Sequence, residues 1–198
     1  MPSSSLRLFI ALELAQDVRN ALAKLQDALR RQLPPGAVRW TAVESIHLTL
    51  KFLGETPADR VPAIAQAMEQ AAAGFGAFEY TVAGFGCFPN ARRANVLWVG
   101  VPEPPKALLG LQRSLDVRLH ALGYPREDRA FTPHLTIGRV NKSISSADRS
   151  RLAEALAQVQ VAALGVVPVH EMVLFQSDLR PTGAVYTALA RAALRAAE

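Results

Sequence analysis

The sequence predicts an α+β protein with a bilobal, pseudo-symmetric fold, in which two antiparallel-type sheets flanked by helices surround a central cleft. Segments with helical periodicity alternate along the chain with short β-forming runs, as expected for helices layered on sheets. The pattern His-Leu-Thr-aliphatic also occurs twice, as HLTL at residues 47–50 and as HLTI at residues 134–137. Because the two copies fall at matching points of the helix and strand order, we expect one structural unit to be used twice.

Four segments have the apolar spacing of surface helices. The first, residues 17–33, is ended by Pro-Pro-Gly, and its apolar stripe consists of Val18, Leu22, Leu25, Leu29 and Leu33. The others are residues 57–73, 105–122 and 146–163. Gly123 follows the third segment, and the fourth opens with a Ser-x-Asp start typical of a helix N-terminus.

Seven runs rich in β-forming residues predict strands, at residues 7–13, 46–53, 78–85, 95–101, 131–140, 166–176 and 184–190. The resulting order is β-α-β-α-β-β-α-β-α-β-β, with the boundary between the two units near 89–93 or 102–105. We therefore expect residues 1–198 to form a single two-lobed domain. The lobes are expected to interleave, each contributing one strand with a His-x-Thr (HxT) motif.

The composition is that of a compact globular protein. Half of the 198 residues are hydrophobic, which is ample for a packed core. The apolar segment near the start is interrupted by Arg7 and Glu13 and is too short to span a bilayer. The single cysteine, Cys87, cannot form a disulfide within the chain. We expect a monomeric, cytoplasmic protein that does not enter membranes.

The net charge of +5, from 22 Lys and Arg against 17 Asp and Glu, favours an anionic partner. Arginine predominates over lysine, and its guanidinium group binds phosphate in a bidentate manner. The abundance of Ala, Arg and Gly is also typical of GC-rich coding sequences, so the charge alone does not select nucleic acid as the partner.

The two HxT segments place polar side chains on one face of each strand. Since side chains alternate along a strand, His47 and Thr49 share one face of the first, and His134 and Thr136 share one face of the second. If the lobes are related by a pseudo-twofold axis, these faces converge on one cleft. One imidazole could then take a proton from an oxygen attacking phosphorus while the other protonates the leaving oxygen, and the hydroxyls could donate hydrogen bonds to the phosphate.

Other interpretations of these residues remain open. A single HxT on a strand is ordinary sheet surface, and two histidines could instead bind a metal ion, although no Asp or Glu follows either of them at i+2. His120 and His170 are expected to be surface residues or polar residues with satisfied hydrogen bonds. Phe9 and Trp98 lie in apolar runs, which favour the core over stacking on a base.

Five blocks resemble the 2H phosphoesterase superfamily, most closely its RNA 2′,3′-cyclic phosphodiesterase branch, also called 2′-5′ RNA ligase. They are RLFIALEL at 7–14, HLTLKFLGE at 47–55, VLWVGV at 96–101, RAFTPHLTIGR at 129–139 and LFQSDLRPTGAVYTAL at 174–189. The blocks occur in the family's order over nearly the whole chain. The resemblance implies a bilobal α+β fold with a water-filled cleft.

The resemblance also implies roles for the motif residues. It makes His47 the proton donor and His134 the proton acceptor, an assignment that spacing alone does not decide. Thr49 and Thr136 correspond to the threonines of the family's HxTx motifs, which are expected to bind the substrate phosphate.

The family's phosphate-side arginine corresponds to Arg139. Strict alternation places position 139 on the face opposite His134, unless Gly138 marks a bulge or the strand ends there. Arg129, in the segment before the second motif, is a further candidate for substrate binding.

The function implied by the resemblance is metal-independent hydrolysis of an RNA terminal 2′,3′-cyclic phosphate to a 2′-phosphomonoester, with no cofactor. The 2′-5′ ligation implied by the family's second name is the same chemistry with a ribose hydroxyl at the water position. The expected partners are RNA ends or cyclic-phosphate nucleotides. Two alternatives remain: a cyclic phosphodiesterase acting on a small nucleotide such as ADP-ribose cyclic phosphate, and a non-catalytic module that binds RNA ends.

Overall fold

The computed structural model describes residues 4–127, 129–180 and 183–195, and the rest of the predicted domain lies outside this described part. The elements in chain order are β1 (Ser5–Leu12), α1 (Gln16–Gln32), β2 (Val38–Trp40), β3 (Leu48–Pro57), α2 (Val61–Ala72), β4 (Phe78–Phe88), β5 (Val96–Gly100), α3 (Lys106–Ala121), β6 (His134–Val140), α4 (Ser146–Ala157), β7 (Gly165–Val169), β8 (Glu171–Arg180) and β9 (Gly183–Ala193).

The strands form two sheets, which confirms the predicted fold class. One sheet has the order β3-β1-β8-β9 and the other the order β2-β6-β5-β4-β7. Neighbouring strands are antiparallel in both sheets. The two HxT motifs therefore lie on different sheets, one at the start of β3 and the other at the start of β6.

The two halves of the chain exchange elements between the sheets. β4 leaves the first half to pair with β5, and β8 returns to pair with β1. The helices follow the same exchange, because α1 contacts β7 of the five-stranded sheet, whereas α2 contacts β8 and β9 and α3 contacts β3 of the four-stranded sheet. Each sheet thus has one face covered by helices, which leaves its opposite face available for a cleft.

Two of the sequence-based element boundaries were wrong. The run 166–176 is divided between β7 and β8, which belong to different sheets, with His170 at the junction. The helix expected over 146–163 ends at Ala157. Beyond it the chain runs extended beside β4, where Leu164 N donates to Val82 O at 2.8 Å. Tertiary pairing therefore overrides the apolar periodicity that predicted a longer helix.

The strands that carry the motifs bury alternate side chains. Leu48, Leu50, Leu135 and Ile137 are each at most 3% exposed and belong to one continuous core. This burial anchors the polar members of each motif on the opposite face. In the described part of the chain, no helix is both long and apolar enough to cross a membrane.

Candidate active site

The structure brings the two HxT motifs together. His47 lies immediately before β3 and His134 is the first residue of β6. Although β3 and β6 belong to different sheets, their Cα atoms approach to within 8 Å. The histidine and threonine of each motif are half-buried, whereas the aliphatic residues between and after them are buried. The polar faces of both motifs therefore lie on strands that approach each other, and the space between these two faces is called the cleft below.

Both histidines are held by the same local hydrogen bond. The Nδ1 atom of His47 lies 2.9 Å from the carbonyl oxygen of Ser45, and that of His134 lies 2.7 Å from the carbonyl oxygen of Thr132. Because a carbonyl oxygen can only accept, Nδ1 carries the proton in both rings. This tautomer leaves each Nε2 free to take or to give a proton.

Aromatic side chains enclose His47. The Phe9 ring stacks on the imidazole at 4.6 Å between centroids, and the Tyr186 ring meets it edge-on at 5.3 Å. This burial lowers the pKa of His47 to about 4; the hydrogen bond to Ser45 acts in the opposite direction, and the charge of Arg19 lowers the pKa further. His47 is therefore neutral at physiological pH as long as no anion lies beside it.

His134 also has aromatic neighbours. The Phe88 ring lies edge-on at 4.9 Å, and the Trp98 indole is centred 6.1 Å away. The indole lies on the sheet above Gly86, where an added Cβ would come within 2.1 Å of Trp98 Cζ2. Trp98 is thus half-buried beside the site rather than in the core. Phe9 is only 3% exposed, in line with the expected burial, but its ring packs on His47.

A bulge in β6 places Arg139 on the cleft face. Trp98 pairs with Thr136 and Leu97 pairs with Gly138, so that Ile137 is an extra residue in β6. The extra residue reverses the alternation beyond it, and Arg139 therefore shares the face of His134 and Thr136. Gly138 is required at this point, because an added Cβ would lie 2.7 Å from Val38 Cγ1.

The side chain of Gln26 on α1 stabilises this bulge. Its Nε2 donates to the carbonyl oxygen of Ile137 and to that of Thr41, both at 2.8 Å. The backbone N–H of Thr41 also donates to Ile137 O at 3.0 Å. Gln26 is 2% exposed and lies in the buried stripe of α1, whereas Leu25, predicted for that stripe, is only half-buried.

We expect Gln26→Leu to lower the free energy of unfolding by about 1 to 3 kcal/mol, because it removes two buried hydrogen bonds at nearly constant side-chain size. Urea denaturation monitored by circular dichroism measures this change. Gln32→Leu, at the exposed end of the same helix, is the matched control. Equal stability of the two variants would show that the bulge does not depend on Gln26.

The first motif strand has a corresponding bulge. Thr49 pairs with Ala11 and Lys51 with Ile10, so that Leu50 is the extra residue in β3. Phe52 then pairs with Phe9 and faces the cleft, where it is 64% exposed. Phe52 thus occupies the same position relative to His47 that Arg139 occupies relative to His134.

The two walls of the cleft meet at Tyr186. Burial raises the pKa of its hydroxyl, while the positive charges of Arg139 and Arg7 act in the opposite direction. A guanidinium from the second sheet therefore lies near a ring that packs on His47. Sequence reasoning missed Tyr186 as a site residue, although its position inside the family-like block 174–189 was a usable signal. Arg129 is exposed in the loop before β6, and within the described residues no hydrogen bond joins it to either histidine.

For the residues that the structure describes, no three His, Cys, Asp or Glu side chains are grouped so that they could hold a metal ion. The polar groups that the two motif strands present are two imidazoles, two threonine hydroxyls and Arg139. Such a set suits proton transfer to and from the oxygens of a phosphate ester.

Comparison with known sequences gives a consistent result. The sequence model of the LigT like Phosphoesterase family matches residues 12–98 and again 99–186. A protein of Methanothermobacter thermautotrophicus named RNA 2′,3′-cyclic phosphodiesterase is 35% identical over 181 residues, which cover 91% of this chain and 95% of the relative. A protein of the same name from Thermotoga maritima is 30% identical over 184 residues, covering 93% of each chain.

Solved structures share the fold over its whole length. Escherichia coli LigT, solved in complex with 3′-AMP, superposes with a TM-score of 0.77 at 26% identity, over 96% of this chain and 99% of that one. A Thermus thermophilus protein superposes with a TM-score of 0.79 at 28% identity, over 97% of this chain and 100% of that one. The resemblance inferred from the five sequence blocks is confirmed.

Proposed function

Because this chain belongs to the LigT-like phosphoesterase family, we propose that it is a cyclic phosphodiesterase that opens the 2′,3′-cyclic phosphate at an RNA end and leaves a 2′-phosphomonoester. The observation that carries the proposal is the pair of imidazoles at the starts of two strands that approach each other. Each has its Nδ1 engaged by a main-chain carbonyl, and neither Nε2 has a hydrogen-bond partner among the residues that the structure describes. Two such groups can supply both proton transfers of the reaction, so no metal ion is needed.

In the proposed reaction His134 Nε2 removes a proton from water as the water oxygen attacks phosphorus. The bond from phosphorus to O3′ breaks, and His47 gives its Nε2 proton to the departing oxygen. Thr49 and Thr136 donate hydrogen bonds to the non-bridging oxygens, and Arg139 offsets their negative charge. Ligation through a 2′-5′ linkage is the same chemistry with a ribose hydroxyl in place of water: the hydroxyl oxygen bonds to phosphorus, and the bond from phosphorus to O3′ breaks.

The donor role requires His47 to become charged when substrate binds. In the free protein its pKa is about 4, and a nearby anion favours the protonated ring. The substrate phosphate would therefore create the acid that protonates its own leaving group. When only water lies beside the imidazole, no anion favours the charged form, and His47 stays neutral.

Inorganic sulfate, whose own charge is constant over the titration, provides a test of this role. We expect saturating sulfate to raise the pKa of His47 from about 4 toward the ordinary imidazole value of about 6.5. NMR titration of the imidazole Cε1–H resonance, assigned with His47→Gln, measures the change. Sodium chloride at equal ionic strength is the control. A pKa that stays near its free value with sulfate bound would instead make His47 the acceptor and His134 the donor.

The function itself is tested with an RNA oligonucleotide that ends in a 2′,3′-cyclic phosphate. We expect a product heavier by one water, with its phosphate on the 2′ oxygen, at the same rate with and without EDTA. Loss of activity in EDTA that zinc or manganese restores would contradict the metal-independent mechanism. Turnover of ADP-ribose cyclic phosphate but not of the oligonucleotide would show that the substrate is a small cyclic-phosphate nucleotide rather than an RNA end. Binding of the RNA end without turnover of either would identify a binding module.

A further inference from the structure

Two arginines lie directly opposite each other on neighbouring strands beside the site. Arg39 of β2 pairs in register with Arg139 of β6, and the flanking pairs are Val38 with Val140 and Trp40 with Gly138. Both arginine side chains are exposed. Sequence reasoning singled out only Arg139, because β2 has three residues and was not predicted as a strand.

Arg39 faces the cleft. Its neighbour Trp40 faces α1, where the guanidinium carbon of Arg30 lies 5.5 Å from the indole centroid. Val38 points the same way as Trp40, since it would meet a Cβ added at Gly138. Side chains alternate along a strand, so Arg39 projects from the opposite face, which it shares with Arg139.

Like charges directly opposite each other on a sheet are destabilising. In the described part of the chain, the arginines that lie within 4.0 Å of a carboxylate are Arg30, Arg151 and Arg191. Across residues 4–127, 129–180 and 183–195, neither Arg39 nor Arg139 forms an ion pair within 4.0 Å. An anion bound from solution would offset the repulsion between these two opposed charges.

The two arginines lie at different depths along the sheet relative to the histidines. Arg139 lies toward the reacting group, because its charge acts on Tyr186, whose ring contacts His47. Arg39 lies one strand further out, on the edge strand of the sheet order β2-β6-β5-β4-β7. No further strand of this sheet lies beyond β2 among the described residues, and guanidinium groups are suited to phosphodiester oxygens.

We propose that Arg39 binds the phosphodiester next to the terminal cyclic phosphate, so that the cleft selects the end of an RNA strand over a cyclic mononucleotide. This inference rests on the proposed function, since it takes the reacting phosphate to lie at Arg139 and the histidines. The second phosphate of the strand then provides the negative charge that offsets Arg39.

The test measures binding, so that it does not depend on turnover. The probes are a fluorescent single-stranded RNA that ends in a 2′-phosphomonoester and, as its competitor, the corresponding nucleoside 2′-phosphate. We expect Arg39→Gln to weaken the RNA by about tenfold relative to the mononucleotide, because one charge-assisted contact is lost. The slope of log K against log salt for the RNA should also fall by about 0.7, the value for one phosphate contact with a single strand.

Arg31→Gln, an equal charge loss at the exposed end of α1, is the matched control and should leave the ratio of the two affinities as it is. If Arg39→Gln and Arg31→Gln weaken RNA binding equally, the effect is explained by net charge, and the inference is overturned. Equal weakening of the RNA and the mononucleotide by Arg39→Gln would also overturn it. Removing one of two opposed charges should leave the unbound Arg39→Gln variant at least as stable in urea as the unmodified protein. A variant that is clearly less stable is therefore recognised as misfolded.

Turnover of the cyclic-phosphate RNA by the unmodified protein is measured in parallel. If the unmodified protein turns over the RNA but Arg39→Gln does not change RNA affinity, the result contradicts the inference about Arg39 and leaves the proposed function standing. Selective dependence of RNA affinity on Arg39 without any turnover would contradict the proposed reaction and leave a strand-binding site in place. The two failures are therefore distinguishable.

Discussion

Replacing His134 with alanine is expected to lower kcat for opening of the cyclic phosphate by about 10² to 10⁴, and His47→Ala should cause a loss of similar size. Each substitution removes one of the two Nε2 atoms that transfer protons in the proposed reaction. The fold should survive, because both side chains are only half-buried and their hydrogen bonds are local. Steady-state turnover of a 2′,3′-cyclic phosphate oligonucleotide, with circular dichroism of each variant, measures both effects.

His120→Ala is the matched control, since His120 is exposed on α3 and should keep its full activity. The double variant of His47 and His134 should be little worse than the poorer single variant, because residues that act as a unit are not additive. Near-normal turnover by a well-folded single variant would contradict the two-histidine mechanism.

Lys51→Met is expected to lower the free energy of unfolding by about 3 kcal/mol. Lys51 is 2% exposed, and its Nζ lies 2.7 Å from Asp116 Oδ1 and donates to the carbonyl oxygen of Pro125 at 2.6 Å. Methionine leaves the Asp116 carboxylate, which is only 16% exposed, without its cation. Because Lys51 lies beside the bulge in β3, the same change should also loosen the strand that carries His47.

Urea denaturation measures the loss, and Lys24→Met on the exposed face of α1 is the matched control. Adding Asp116→Asn to Lys51→Met should restore part of the stability, since no uncompensated charge then remains. If Lys51→Met changes stability by no more than the control does, the buried ion pair does not hold this strand in place.

Local patterns were sufficient to predict that the histidine and the threonine of each motif share one face of a strand. An HxT sequence places the histidine and the threonine on the same face of a strand because side chains alternate with a period of two residues, and this holds over the short distance from His47 to Thr49. The same rule failed for Arg139, five residues after His134, because the Ile137 bulge lies between them. It also could not identify Gln26, a polar residue in the buried stripe of α1 that hydrogen-bonds the bulge.

The sequence by itself determined the alternation of helices and strands, the two motifs and the family. Only the tertiary structure decided which strands are neighbours, and with them the opposition of Arg39 to Arg139 and the exposure of Phe52 on the cleft face. The low pKa of His47 was also decided there, since Phe9 and Tyr186 come from strands distant in sequence. Periodicity is a property of neighbouring residues, whereas register, bulges and desolvation depend on segments that meet only when the chain folds.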